Sequence, residues 1–156
     1  MKLTSIIKLQ LLSLALIPAL SFGASSEHQM LEVIKKNDIT NVKRLVDEGV
    51  PIPSGEYRYT PIDIAVRNNN PEMLSYLLAS GANPVEDIEA MKAALSTCNM
   101  KMVSLLVDHG YKVKGNPRYY GPYDPLPWAA QFGCRDIVEY LVENGADVKS
   151  YRTLRF

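Results

Sequence analysis

The residue types that can do chemistry are few in this chain and stand apart from one another. The two histidines are His28 and His109, and neither has a second ligand-type side chain at the spacing that holds a metal ion. The carboxylates Glu86, Asp87 and Glu89 gather in one short segment, where they are expected to solvate a loop rather than divide into a general acid and a general base. No glycine-rich phosphate loop, nucleophile elbow or Ser/His/Asp order occurs. No catalytic residue and no metal ligand is assigned, and the chain reads as non-enzymatic. What is concentrated instead is tyrosine with arginine: Tyr57, Arg58 and Tyr59 form one group, and Arg118, Tyr119, Tyr120, Tyr123 and Trp128 a second. Tyr, Trp and Arg each join a large contact area to a polar or charged handle, the combination enriched at binding hot spots. Tyrosines in loops also pack on one another to hold the loop, so recognition and packing both stand as readings.

The elements that position these residues repeat along the chain. Gly49, Gly81, Gly110 and Gly145 each follow a Leu-containing helical pattern, at spacings of 32, 29 and 35. Counting back from each glycine by the same step gives His28, Thr60, Glu89 and Asp124, and a small or apolar residue follows in phase at Val33, Ala65, Ala94 and Ala129. Pro61 and Pro125 suit a first helical turn, and the glycines suit a left-handed helix end. A second turn lies inside each unit at Asn37, Asn69, Cys98 or Gly133, where positive φ is expected, and Asp38, Asn70 and Asn99 are placed to cap the helix that follows. Cys134 holds the corresponding place in the last unit, which leaves that helix less well capped. Apolar residues recur at helical spacing in the second helices: Val42, Leu45 and Val46; Met73, Leu74, Leu77 and Leu78; Val103, Leu105 and Leu106; Ile137, Val138, Leu141 and Val142.

Thr60-Pro61-Ile62-Asp63-Ile64-Ala65 and Asp124-Pro125-Leu126-Pro127-Trp128-Ala129 resemble the Thr-Pro-Leu-His-x-Ala opening of an ankyrin repeat, and Leu77 to Asn83 and Leu141 to Val148 resemble its close. The resemblance implies an all-α solenoid of four helix-turn-helix repeats, about 28–59, 60–88, 89–123 and 124–156, with β-hairpin fingers between them. Repeat three departs from the pattern, since Glu89-Ala90-Met91-Lys92 stands at its opening. The finger before repeat three is then short and the last is long, and six of the nine tyrosines fall in fingers. Trp128, on the first helix of repeat four, is expected to look toward the same concave side.

Residues 1–23 read differently from residues 24–156. Lys2 and Lys8 precede the apolar run Leu11 to Leu20, and Ser21 and Gly23 follow, which is the layout of a secretory signal peptide. The run is too short for a stable membrane span and contains Pro18. Its removal would take two lysines and no acid from a chain of zero net charge, leaving about −2, which points to no nucleic-acid partner. A periplasmic monomer is expected. An oxidising compartment invites pairing of Cys98 with Cys134. Equivalent atoms of adjacent repeats are expected on the order of 10 Å apart, beyond the roughly 7 Å that a disulfide spans, so two reduced thiols are the expectation. The tail Lys149 to Phe156, with Tyr151, Leu154 and Phe156, is placed to cover the end of the stack or to receive a partner there.

As an ankyrin scaffold, the chain is expected to bind a partner protein through Tyr57, Arg58, Tyr59, Arg118, Tyr119, Tyr120, Tyr123 and Trp128. Small exported bacterial ankyrin proteins, which it resembles, include immunity proteins against envelope-acting toxins and catalase-associated proteins linked to haem handling and oxidative stress. The first implies no cofactor. The second implies haem, with Tyr57 or Tyr120 as the axial ligand and a neighbouring arginine to stabilise the phenolate or pair with a propionate.

Overall fold

The computed structural model describes residues 23–54, 59–85, 87–114 and 124–149. Within them run eight helices in four pairs: α1 (Gly23–Lys35) and α2 (Ile39–Asp47), α3 (Pro61–Arg67) and α4 (Pro71–Ala79), α5 (Ile88–Ser96) and α6 (Met100–Asp108), α7 (Pro125–Gln131) and α8 (Arg135–Glu143). The first helices stack in the order α1, α3, α5, α7, while α4 packs on α6 and α6 on α8. This is the expected four-repeat helical solenoid. Among the described residues there is no strand, and the finger tips at 55–58, 86 and 115–123 lie outside them, so the β-hairpin form of the fingers is not part of the described structure.

Each pair is drawn by the same local rules. Asp38, Asn70 and Asn99 accept the backbone N–H three residues on, at 3.1, 2.9 and 3.2 Å, and so satisfy donors that the first turns of α2, α4 and α6 leave open. Cys134 makes no such bond to α8, as its side-chain type implied. The residue before each cap lies in the left-handed region, with φ of 59° at Asn37, 51° at Asn69, 47° at Cys98 and 76° at Gly133. Glycine and asparagine adopt that conformation readily, whereas a cysteine there costs about 1–2 kcal/mol. Gly49, Gly81, Gly110 and Gly145 also have positive φ. After each of them, the N–H of Val50, Ala82, Tyr111 or Ala146 returns to the carbonyl of Leu45, Leu77, Leu106 or Leu141 and closes the helix end.

The core runs along the stack as two columns. Ala65, Ala94 and Ala129 are fully buried between the first helices, and Leu45, Leu77, Leu106 and Leu141 between the helices of each pair. The expected apolar faces are buried through α4 and α6, but at the end of the described stack Val138 is only partly covered and Val142 is 39% exposed, because no described helix packs beyond them.

Two readings need correction. The first helix of repeat three begins at Ile88 with Asp87 as its N-cap, so Asp87 accepts the N–H of Ala90 at 3.1 Å and does not merely solvate the loop. Cys98 and Cys134 are joined by a disulfide, with Cα atoms 5.2 Å apart. The expectation of reduced thiols compared like positions in neighbouring repeats. These two are unlike: Cys98 is the turn residue of repeat three, whereas Cys134 is the cap one step further along repeat four, and that step shortens the gap.

Candidate functional site

The first-helix side carries a continuous run of charged and aromatic side chains across three repeats. It begins with Asp63, fully buried on α3, whose two carboxylate oxygens accept from Arg67 Nε at 2.8 and 2.9 Å. The pair is four residues apart on one helix, the spacing that puts side chains on one face. Arg67 remains 47% exposed. Its guanidinium lies 5.6 Å from the centre of the Tyr59 ring and 3.6 Å from Glu89 Oε2 on α5. The hydrogen bond to Asp63, then the charges of Asp63, Glu89 and Tyr59, hold its pKa above the ordinary arginine value.

Glu89 and Lys92 lie three apart on α5 and so share a face. Lys92 Nζ sits 4.4 Å from the ring centre of Trp128 on α7, a cation–π contact. Trp128 itself is partly buried and packs on the core. The run is therefore Tyr59, Arg67, Glu89, Lys92, Trp128, with an ion pair bridging α3 to α5 and a cation–π contact bridging α5 to α7.

Beneath it the caps interlock. The Thr60 hydroxyl accepts the N–H of Asp63 at 2.9 Å and donates to the Asp87 carboxylate, so one side chain caps α3 and ties it to the start of α5. Burial pushes the Asp87 pKa up, against the lowering bonds from Thr60 and Ala90. Tyr111 is buried at 6% exposure, and burial followed by the nearby charges of Asp87 and Asp124 raises its phenol pKa. This finger tyrosine is core.

Of the residues expected to bind a partner, Tyr59 is exposed and Trp128 partly so, and the interposed residues bring both into one run. Tyr57, Arg58, Arg118, Tyr119, Tyr120 and Tyr123 lie outside the described residues. So do both tyrosines considered for haem, and no described residue carries that reading. Sequence reasoning missed Asp63, Arg67, Glu89 and Lys92. The four-residue spacing of Asp63 and Arg67 was a usable signal, whereas the Arg67–Glu89 bridge depends on how α3 and α5 meet.

The other side is tied by surface pairs. Lys43 Nζ on α2 reaches Glu72 of α4 at 3.2 Å and lies 5.6 Å from the Tyr76 ring centre, and Tyr140 donates to Asp108 at 3.2 Å across α8 and α6. His109 Nδ1 contacts the Leu105 carbonyl at 2.8 Å and ends α6. Among the described residues no group of three His, Cys, Asp or Glu could hold a metal ion, and no helix is long and apolar enough to cross a membrane.

Residues 85–152 match the family described as ankyrin repeats in three copies, and residues 57–86 match the single ankyrin repeat. The chain is similar to alpha-latrocrustotoxin-Lt1a of Latrodectus tredecimguttatus, 32% identical over 94 residues, which is 58% of this chain and 7% of that protein. It is also similar to the ankyrin repeat, SAM and basic leucine zipper domain-containing protein 1 of Dasypus novemcinctus, 28% identical over 125 residues, 74% of this chain and 26% of that protein. A third relative is the human ankyrin repeat and SOCS box protein 14, 27% identical over 114 residues, 70% of this chain and 19% of that protein. The chain thus spans between 7% and 26% of the length of these three relatives.

Proposed function

Because this chain belongs to the ankyrin repeat family, whose repeats serve protein–protein interaction, we propose that it is an exported, non-enzymatic protein that binds a partner protein on its first-helix side. The observation that carries this is the run from Tyr59 through Arg67, Glu89 and Lys92 to Trp128, which offers two aromatic faces separated by fixed charges of both signs. Such a surface favours a folded protein with complementary charge over a nucleic acid, which would call for an excess of basic groups. Export is supported by the charged start and apolar run of residues 1–23, and by a disulfide of the kind that persists in oxidising compartments.

Binding is tested by affinity capture from an envelope extract and titration of the captured partner against variants. Trp128→Ala and Tyr59→Ala are each expected to cost about 2 kcal/mol or more, while Lys43→Ala on the other side costs little. Full affinity in both aromatic variants would remove the first-helix side from the reading. Export is tested separately by N-terminal sequencing of the fractionated protein. A start near Ala24 is expected, and an intact Met1 in a cytoplasmic fraction contradicts it.

A further inference from the structure

The disulfide occupies a place that the other junctions fill with hydrogen bonds. Asn70 Nδ2 donates to Asn37 Oδ1 at 2.7 Å between repeats one and two, and Asn99 Nδ2 donates to Asn69 Oδ1 at 2.8 Å between repeats two and three. Each rung joins the left-handed turn residue of one repeat to the cap residue of the next. Cys98 and Cys134 are that same pair of positions between repeats three and four.

The exchange changes what the junction rests on. Asn70 and Asn99 divide their amides between two tasks, with the oxygen capping a helix and the nitrogen making the rung. Cys134 makes no cap bond to α8; its sulfur makes the rung and lies 3.2 Å from the Leu95 carbonyl oxygen. Repeat four, like repeat one, has a described neighbour on one side only, and Val142 and Phe132 are exposed on it. In a stack where each repeat is held by its own stability and its contacts with neighbours, a repeat at the end of the described stack has one such interface where an interior repeat has two.

We propose that the Cys98–Cys134 bond is a redox-controlled fastener that keeps repeat four docked on repeat three, and that its reduction by a dithiol releases repeat four ahead of the rest. The fastener opens by thiol–disulfide exchange. A thiolate of the dithiol attacks Cys98 Sγ, on an exposed residue, rather than Cys134, which is 4% exposed. A sulfur–sulfur bond forms between the dithiol and Cys98, the Cys98–Cys134 bond breaks, and Cys134 leaves as a thiolate that takes a proton from water. The second thiol then attacks the dithiol sulfur bound to Cys98. The Cys98 thiolate leaves and is protonated, and the reagent departs as a cyclic disulfide, having given up two electrons. Cys98 is then left with a positive φ and without its covalent rung, while α8 stays without the side-chain cap it lacks already in the oxidised protein.

Trp128 is the only tryptophan and sits at this junction under Lys92, so its emission reports docking directly. The oxidised mature protein is compared with the same protein in dithiothreitol by amide hydrogen exchange and tryptophan fluorescence. Reduction is expected to speed exchange across 125–143 about tenfold or more and to shift Trp128 emission to the red, with 61–79 unchanged. The double variant Cys98→Asn, Cys134→Asn restores both rung and cap. It is expected to ignore dithiothreitol and to protect 125–143 within about threefold of the oxidised protein. Equal exchange in oxidised and reduced protein would overturn the proposal. So would a loss of protection shared by all four repeats, or a double variant that exchanges as fast as the reduced protein.

Discussion

Repeats two and three differ from repeat four in how many of their contacts are shared. All three have a buried alanine on the first helix, a buried leucine on the second, a left-handed turn between the helices and the same closing hydrogen bond after the glycine. In repeats two and three, of the residues around that leucine, Leu74, Leu78 and Val103 are buried and Val107 is partly so. In repeat four the matching Val138 and Val142 lie toward the open end, the cap is absent and the tie to the preceding repeat is covalent. Identical local rules thus give unequal support, because a repeat's stability comes partly from the faces its neighbours bury. The one covalent tie stands at the junction of repeats three and four, in the place that the other two junctions fill with an asparagine pair.

The largest effect that sharpens this contrast comes from truncating the buried column. Leu106→Ala removes a fully buried side chain from the interior and is expected to cost about 2–5 kcal/mol in urea or thermal unfolding. Val142→Ala, at the open end, is expected to stay within about 0.5 kcal/mol of wild type. Equal costs would mean that the open end is covered in solution. Overpacking comes next. Ala65→Leu and Ala129→Leu each force a branched side chain between stacked first helices and are expected to cost about 1–3 kcal/mol in thermal unfolding. If both melt like wild type, the first helices do not meet at these alanines.

A smaller effect separates the rungs. Asn70→Ala removes a cap and a rung at once and is expected to lower stability by about 1–2 kcal/mol, whereas Asn70→Asp keeps the cap oxygen and loses only the rung donor. Urea unfolding of Asn70→Asp against wild type gives the rung, and Asn70→Ala against Asn70→Asp gives the cap. An Asn70→Asp variant as stable as wild type would reduce the Asn37–Asn70 bond to a surface contact without weight.

The repeat frame was legible because it is written in short-range chemistry. Positive-φ turns at Asn37, Asn69, Cys98 and Gly133 and caps at Asp38, Asn70 and Asn99 depend on residue type at one position and on neighbours within four. The start of α5 was harder to read, since Glu89 sits in phase with Thr60 and Asp124 while Asp87, two residues earlier, is the side chain that caps. The disulfide and the Arg67–Glu89 bridge depend on the offset between neighbouring repeats, which no local pattern carries. Among the described residues the aromatic expectation divides in the same way: Tyr59 and Trp128 lie on the first-helix run, but Tyr111 is drawn into the core by the apolar closing position it occupies after Gly110.

The smallest expected effect depends on pH and belongs to the interior junction. Asp87 is partly buried beside Thr60, and burial, assisted by the charges of Asp63 and Glu89, raises its folded pKa above the ordinary carboxylate value of 3.8. A carboxyl group whose pKa is raised on folding favours the folded state fully below its unfolded value. That contribution is lost as pH rises through the folded value. Asp87→Asn keeps an oxygen for the Ala90 N–H and offers an amide donor to the Thr60 hydroxyl, but it does not titrate. The stability of wild type minus that of the variant, from urea unfolding between pH 3 and pH 7, should therefore fall as pH rises from about 3.8, by less than about 1 kcal/mol, because the helix N-terminus still favours a negative charge. A difference that instead grows with pH would mean that the Thr60 hydroxyl and the Ala90 N–H hold the carboxylate more firmly than burial opposes it. The interior junction would then be tied by charge as well as by packing, and its contrast with the disulfide-fastened end would lie in the kind of bond alone.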